Sequence, residues 1–94
     1  MKAIIERKMY DTETADLVAS DDYWDGRNTT RNGRNRYLYK TKKGNFFAHH
    51  VTHWQGELDS INPLDKDEAI DLFESLPEKS MDYKEAFGID PEEA

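Results

Sequence analysis

Ninety-four residues, no cysteine and a net charge of −7 bound this chain to a single modest domain, with neither disulfides nor thiolate metal sites to staple it. The hydrophobic fraction, 36%, and the charged fraction, 35%, lean toward disorder; two Trp, five Tyr and four Phe lean back, because each ring brings a large area to bury. No stretch has the length of a membrane span and MKAIIERKMY lacks the apolar run of a signal peptide, so a cytoplasmic protein without membrane contact is expected.

Charge is unevenly spread. Residues 1–54 carry ten Lys/Arg against seven Asp/Glu, a balance of +3; residues 55–94 carry three against thirteen, a balance of −10. Residues 26–56 contain no acid at all, and Arg27, Arg31, Arg34, Arg36, Lys40, Lys42 and Lys43 fall within them. The chain is an acidic protein with a basic middle, which argues against tight nucleic-acid binding by the molecule as a whole.

Residues 1–10 read as one strand with Ile4, Ile5, Met9 and Tyr10 as its apolar members, although the alternation is imperfect. Asp11-Thr12-Glu13-Thr14 is rich in turn and cap formers. The run Ala15-Asp16-Leu17-Val18-Ala19 then reads either as a second strand returning antiparallel or as a short helix capped by Asp11; its brevity favours the strand. Residues 20–34 (SDDYWDGRNTTRNGR) read as a long loop with turns, in which Tyr23 and Trp24 either fold back on the core or anchor a partner.

Residues 35–54 (NRYLYKTKKGNFFAHHVTHW) carry the strongest signal, two β-rich runs around Lys42-Lys43-Gly44. A three-residue loop with Gly44 in the left-handed region sets Tyr39 opposite Phe47; a two-residue loop exchanges the partners. The first puts glycine where positive φ is needed and is preferred. Tyr37, Tyr39, Phe47 and Val51 then share one side, and Arg36, Leu38, Lys40, Phe46 and Trp54 the other. Residues 55–63 read as a connector. Asp65 as cap, Glu68 three residues on, and Leu64 with Ala69 as a staple start a helix presenting Ala69, Leu72, Phe73 and Leu76 and closed by Pro77. Ser80 is the expected cap of a second, short helix presenting Met81, Ala86 and Phe87 and stopped by Gly88; Asp90-Pro91-Glu92-Glu93 reads as another helix start that is left unfinished. The element order predicts an α+β fold: a small antiparallel β-meander of about four strands with two C-terminal helices packed on one face.

His49, His50 and His53 invite a zinc site. In a strand, however, His49 and His53 stand about 13 Å apart at ~3.3 Å per residue and His50 points to the opposite face. No metal or other cofactor is expected. His50-Val51-Thr52 matches a single H-x-T element, where phosphoesterase chemistry needs two facing copies. No phosphate-binding glycine loop, serine elbow or thiol nucleophile is present, and the carboxylates of residues 67–74 read as a solvated face, so no catalytic residue is assigned.

Tyr10-Asp11-Thr12-Glu13-Thr14-Ala15, the run LYKTKKGNFF at residues 38–47, Pro63-Leu64 with Glu68-Ala69, and Tyr83-Lys84-Glu85-Ala86-Phe87-Gly88 together resemble a widespread, largely uncharacterised family of short bacterial and phage or plasmid proteins. Where many of those proteins carry a glycine-rich stretch after the second hairpin strand, this chain has His49-His50-Val51-Thr52-His53-Trp54-Gln55-Gly56. The resemblance implies a prokaryotic, mobile-element setting and transfers no catalytic residue.

The favoured expectation is a non-enzymatic protein-interaction module directed at a host protein, docking through Tyr23 and Trp24 with the basic edge of Arg34, Arg36 and Lys40. The alternative is a single-stranded nucleic-acid binder, in which the cations of residues 34–54 hold phosphates and Tyr37, Tyr39, Phe46 and Phe47 stack on bases.

Overall fold

A computed structural model of the chain describes residues 1–21, 34–52, 56 and 58–91. The expected hairpin is at its centre: β4 (Arg34–Lys40) and β5 (Phe46–Thr52) pair antiparallel with Tyr39 opposite Phe47. Thr41 N–H donates to the Asn45 carbonyl at 2.7 Å and Gly44 has φ 89°, the geometry of the three-residue loop, reached without strain because glycine has no Cβ to clash. The period of two then sends odd-numbered side chains of this hairpin to one face of the sheet and even-numbered ones to the other.

The class is α+β, and its sheet has five strands among the described residues. β3 (Asp16–Ser20), β6 (Ser60–Leu64) and β7 (Glu78–Lys79) join the hairpin, all antiparallel, in the order β6-β5-β4-β3-β7. The meander is β3 to β6, and β7 adds a short fifth strand. This corrects the four-strand count and the reading of residues 55–63 as a connector. Asn62 and Pro63 hide β6 in the sequence, and the fold tolerates Pro63 because an edge strand has a side where a missing N–H breaks no ladder. The register of β3 on β4 shifts between Leu17 and Ala19, so Val18 is an extra residue there, and both Val18 and Ala19 are buried in the same core.

Residues 1–10 are not one strand. β1 (Lys2–Ile5) and β2 (Lys8–Asp11) form a separate antiparallel hairpin, turning at Glu6 and Arg7 with φ 51° and 68°. The imperfect alternation has its reason here: Ile4-Ile5 and Met9-Tyr10 belong to different strands, and Glu6-Arg7-Lys8 spans the turn. β3 consequently pairs with β4 and β7 rather than with the N-terminal segment.

Helix α1 (Lys66–Ser75) starts as expected. Glu68 N–H donates to Asp65 Oδ1 at 2.8 Å and Asp65 N–H donates to Glu68 Oε1 at 3.1 Å, a reciprocal cap that satisfies two free donors. Helix α2 (Tyr83–Phe87) is capped by Asp82 rather than Ser80, whose N–H instead donates to the Val18 carbonyl; Gly88, at φ 73°, stops it. Of the expected helix start at residues 90–93, Asp90 and Pro91 are not helical, and Glu92 and Glu93 lie outside the described residues.

Two cores follow from the two faces. Val18, Ala19, Leu38 and Phe46 meet Ala69, Phe73, Leu76, Ala86 and Phe87 under the helices, with Phe87 5.2 Å from Phe46 and 5.5 Å from Phe73 between ring centres. On the opposite face, Tyr10 from the N-terminal hairpin packs edge-on against Phe47 at 5.5 Å, beside Ile61 and the stacked Tyr39.

Candidate functional site

The expected docking residues fall into three groups. Tyr23 and Trp24 lie outside the described residues. Arg36 and Lys40 share the helix-side face of β4 by strand period, and the Arg34 side chain lies outside what the structure describes. Arg36 and Lys40 are both engaged internally. Asp21 is buried, and its carboxylate accepts from Arg36 N–H at 2.7 Å and from Arg36 Nε at 3.3 Å, with side-chain exposures of 2% for Asp21 and 25% for Arg36. Asp21 N–H also donates to the Arg36 carbonyl at 3.2 Å, so Asp21 is tied to β4 through both its backbone and its side chain. Lys40 Nζ lies 5.9 Å from the centre of the Phe46 ring and donates to the Glu85 carbonyl at 3.4 Å.

The rings proposed for base stacking divide between the two cores. Phe46 and Phe47 are buried, one on each face, while Tyr37 and Tyr39 are half-buried. His49 stands with the two tyrosines, 6.0 Å from Tyr37 and 6.5 Å from Tyr39 between ring centres. Its Nε2 is buried and has no hydrogen-bond partner. Burial lowers the His49 pKa below the ordinary imidazole value, against an opposing pull from the Asp59 carboxylate. His50, opposite Arg36, points to the other face, as strand geometry requires, so it and His49 diverge; His53 is outside the described residues.

The sequence reading missed a surface on the N-terminal hairpin. By register Ile4 faces Met9 across β1 and β2, and this pair projects away from the sheet while Ala3, Ile5 and Tyr10 cover it. Ile4 is 76% exposed and Met9 56%. Beside it, and sharing Met9 with it, a cleft of about 420 Å³ opens between the β1–β2 turn and the β4–β5 loop, with Arg7, Lys8 and Tyr10 on one side and Thr41, Lys43 and Asn45 on the other. Lys42 also lines it, held by Asp16 at 2.9 Å. The signal that could have revealed both features is the polar Glu6-Arg7-Lys8 interruption between two apolar pairs, which is a hairpin pattern rather than a strand pattern.

Among the described residues no helix is long and apolar enough to cross a membrane. Comparison with protein-family models, with curated proteins and with solved structures returned no match.

Proposed function

We propose that this chain is a non-enzymatic protein-interaction module, in keeping with the mobile-element proteins its sequence resembles, and that it acts on a host protein in the prokaryotic cytoplasm. One observation carries the reading: the Ile4–Met9 pair is exposed on a hairpin whose other face already covers the sheet, so these apolar side chains add nothing to the core. Lys2 with Asp11 opposite it, and Glu6 with Arg7 at the turn, border the pair. The complementary occupant is therefore an apolar patch with a rim of mixed charge on another protein. Burial of Phe46 and Phe47, and the engagement of Arg36 by Asp21, leave the single-stranded nucleic-acid reading with fewer free rings and cations than the sequence offers it.

The test begins with capture of a partner from bacterial lysate, followed by titration of the purified pair. Ile4→Thr with Met9→Thr should leave the unfolding midpoint within a few degrees of wild type and weaken binding at least ~tenfold, as for central apolar contacts. Undiminished affinity in the double variant would sink the docking face. A concentration-dependent dimer of the chain alone, dispersed by the same variant, would replace the foreign partner with a second copy.

A further inference from the structure

We infer that the cleft between the β1–β2 turn and the β4–β5 loop is a binding site for a small organic phosphate bearing at least two negative charges. Three cations converge on it, Arg7 and Lys8 from one wall and Lys43 from the other, and among the described residues none of the three makes an ion pair or a side-chain hydrogen bond. Lys42, at the same cleft, is held by Asp16, whereas among the described residues no carboxylate pairs with Arg7, Lys8 or Lys43. Thr41 and Asn45 add polar atoms on the loop wall, while Tyr10 supplies a ring surface at the base. Guanidinium and ammonium groups over a concave, partly apolar floor suit a phosphate joined to an organic body.

The backbone adds a second, independent observation. A two-residue hairpin turn with both φ values positive ordinarily carries Asn and Gly, whereas this one carries Glu6 and Arg7 at φ 51° and 68°. Side-chain-bearing residues in the left-handed region are strained, and strain retained at a turn tip points to what the side chain does there. Here the turn delivers Arg7 to the cleft. Size and charge choose between ligand classes. A cleft of about 420 Å³ falls in the range of small-molecule sites and far exceeds a bare phosphate. The net charge of −7 repels a long polyanion, so a small ligand is favoured over a nucleic acid.

The experiment is an amide chemical-shift titration of the full chain at low salt with four probes: inorganic phosphate, pyrophosphate, a nucleoside diphosphate and an eight-nucleotide oligothymidylate. Expected are saturable shifts at Arg7, Lys8, Thr41 and Asn45, with the nucleoside diphosphate bound most tightly. Arg7→Gln and Lys43→Gln should each weaken it about tenfold, the worth of one charge-assisted contact. Asp16→Asn, which releases Lys42, should tighten it. Ile4→Thr, on the outer face of the hairpin, should leave it unchanged, so failure of the docking face and failure of the cleft are separable. Absence of saturable shifts with every probe, equal affinity for inorganic phosphate, tighter binding of the oligonucleotide, or indifference to both Gln substitutions would each overturn the assignment.

Discussion

The two faces of the sheet are closed in different ways. On one, α1 and α2 bring Ala69, Phe73, Leu76, Ala86 and Phe87 onto Val18, Ala19, Leu38 and Phe46. On the other, a two-stranded hairpin brings Tyr10 onto Phe47 and Ile61, and its outer side presents Ile4 and Met9 to solvent. The helical cover is built from locally stabilised elements, each with its own cap, and it buries its apolar residues Ala69, Phe73, Ala86 and Phe87 while its charged side chains stay exposed. The hairpin cover is thin. A two-stranded ribbon is marginal by itself, so it keeps only the residues that touch the sheet and leaves its other side chains for other uses. The larger core lies on the helical side, and the exposed Ile4 and Met9 lie on the hairpin side.

That division can be broken from the larger effect downward. Phe73→Ala should destabilise by about 3–5 kcal/mol, much of the stability of an ordinary small domain, whereas Tyr10→Ala should remove roughly 2 kcal/mol because fewer neighbours close on it. Urea unfolding of both variants gives the comparison, and a larger loss for Tyr10→Ala would reverse the assignment of the main core. A smaller effect of opposite sign is expected at the turn. Glu6→Asn with Arg7→Gly relieves two left-handed side-chain-bearing residues and should stabilise by about 1 kcal/mol, seen as a rise of several degrees in the unfolding midpoint. The same variant should lose phosphate binding, which sets stability against function at one turn. An unchanged or lower midpoint would mean that the Glu6 and Arg7 side chains contribute contacts that outweigh the strain.

The smallest effect concerns His49. Burial lowers its pKa in the folded protein, so the unfolded chain takes up the proton first as the pH falls. The stability contributed by the neutral ring is therefore fully present above the ordinary imidazole value, about 6.5, and declines as the pH drops below it. His49→Phe keeps a ring beside Tyr37 and Tyr39, removes a buried nitrogen without a partner, and should flatten that acid-side decline. Midpoints measured between pH 5 and 8 decide it; parallel curves for the variant and the wild type would place the acid sensitivity elsewhere.

Local chemistry was legible in the sequence because its partners are a few residues away. Gly44 and Asn45 set the register of the central hairpin, Asp65 and Glu68 cap each other across one turn, and Gly88 stops α2, each through contacts the chain makes with itself nearby. The class of fold followed from the order of those elements. What depended on distant contacts did not show. Pro63 masks an edge strand that exists because β5 offers it a ladder, and Ser80 follows β7, bonded to Val18, while Asp82 caps α2. Arg36 and Lys40 look free in the sequence, yet Asp21, fifteen residues before Arg36, and Glu85, forty-five after Lys40, engage them. The cleft is the clearest case, since Arg7 and Lys43 meet only after the N-terminal hairpin folds across the sheet. A sequence carries the preferences of each segment, but which charges remain unpaired is decided by the long-range packing that brings the segments together.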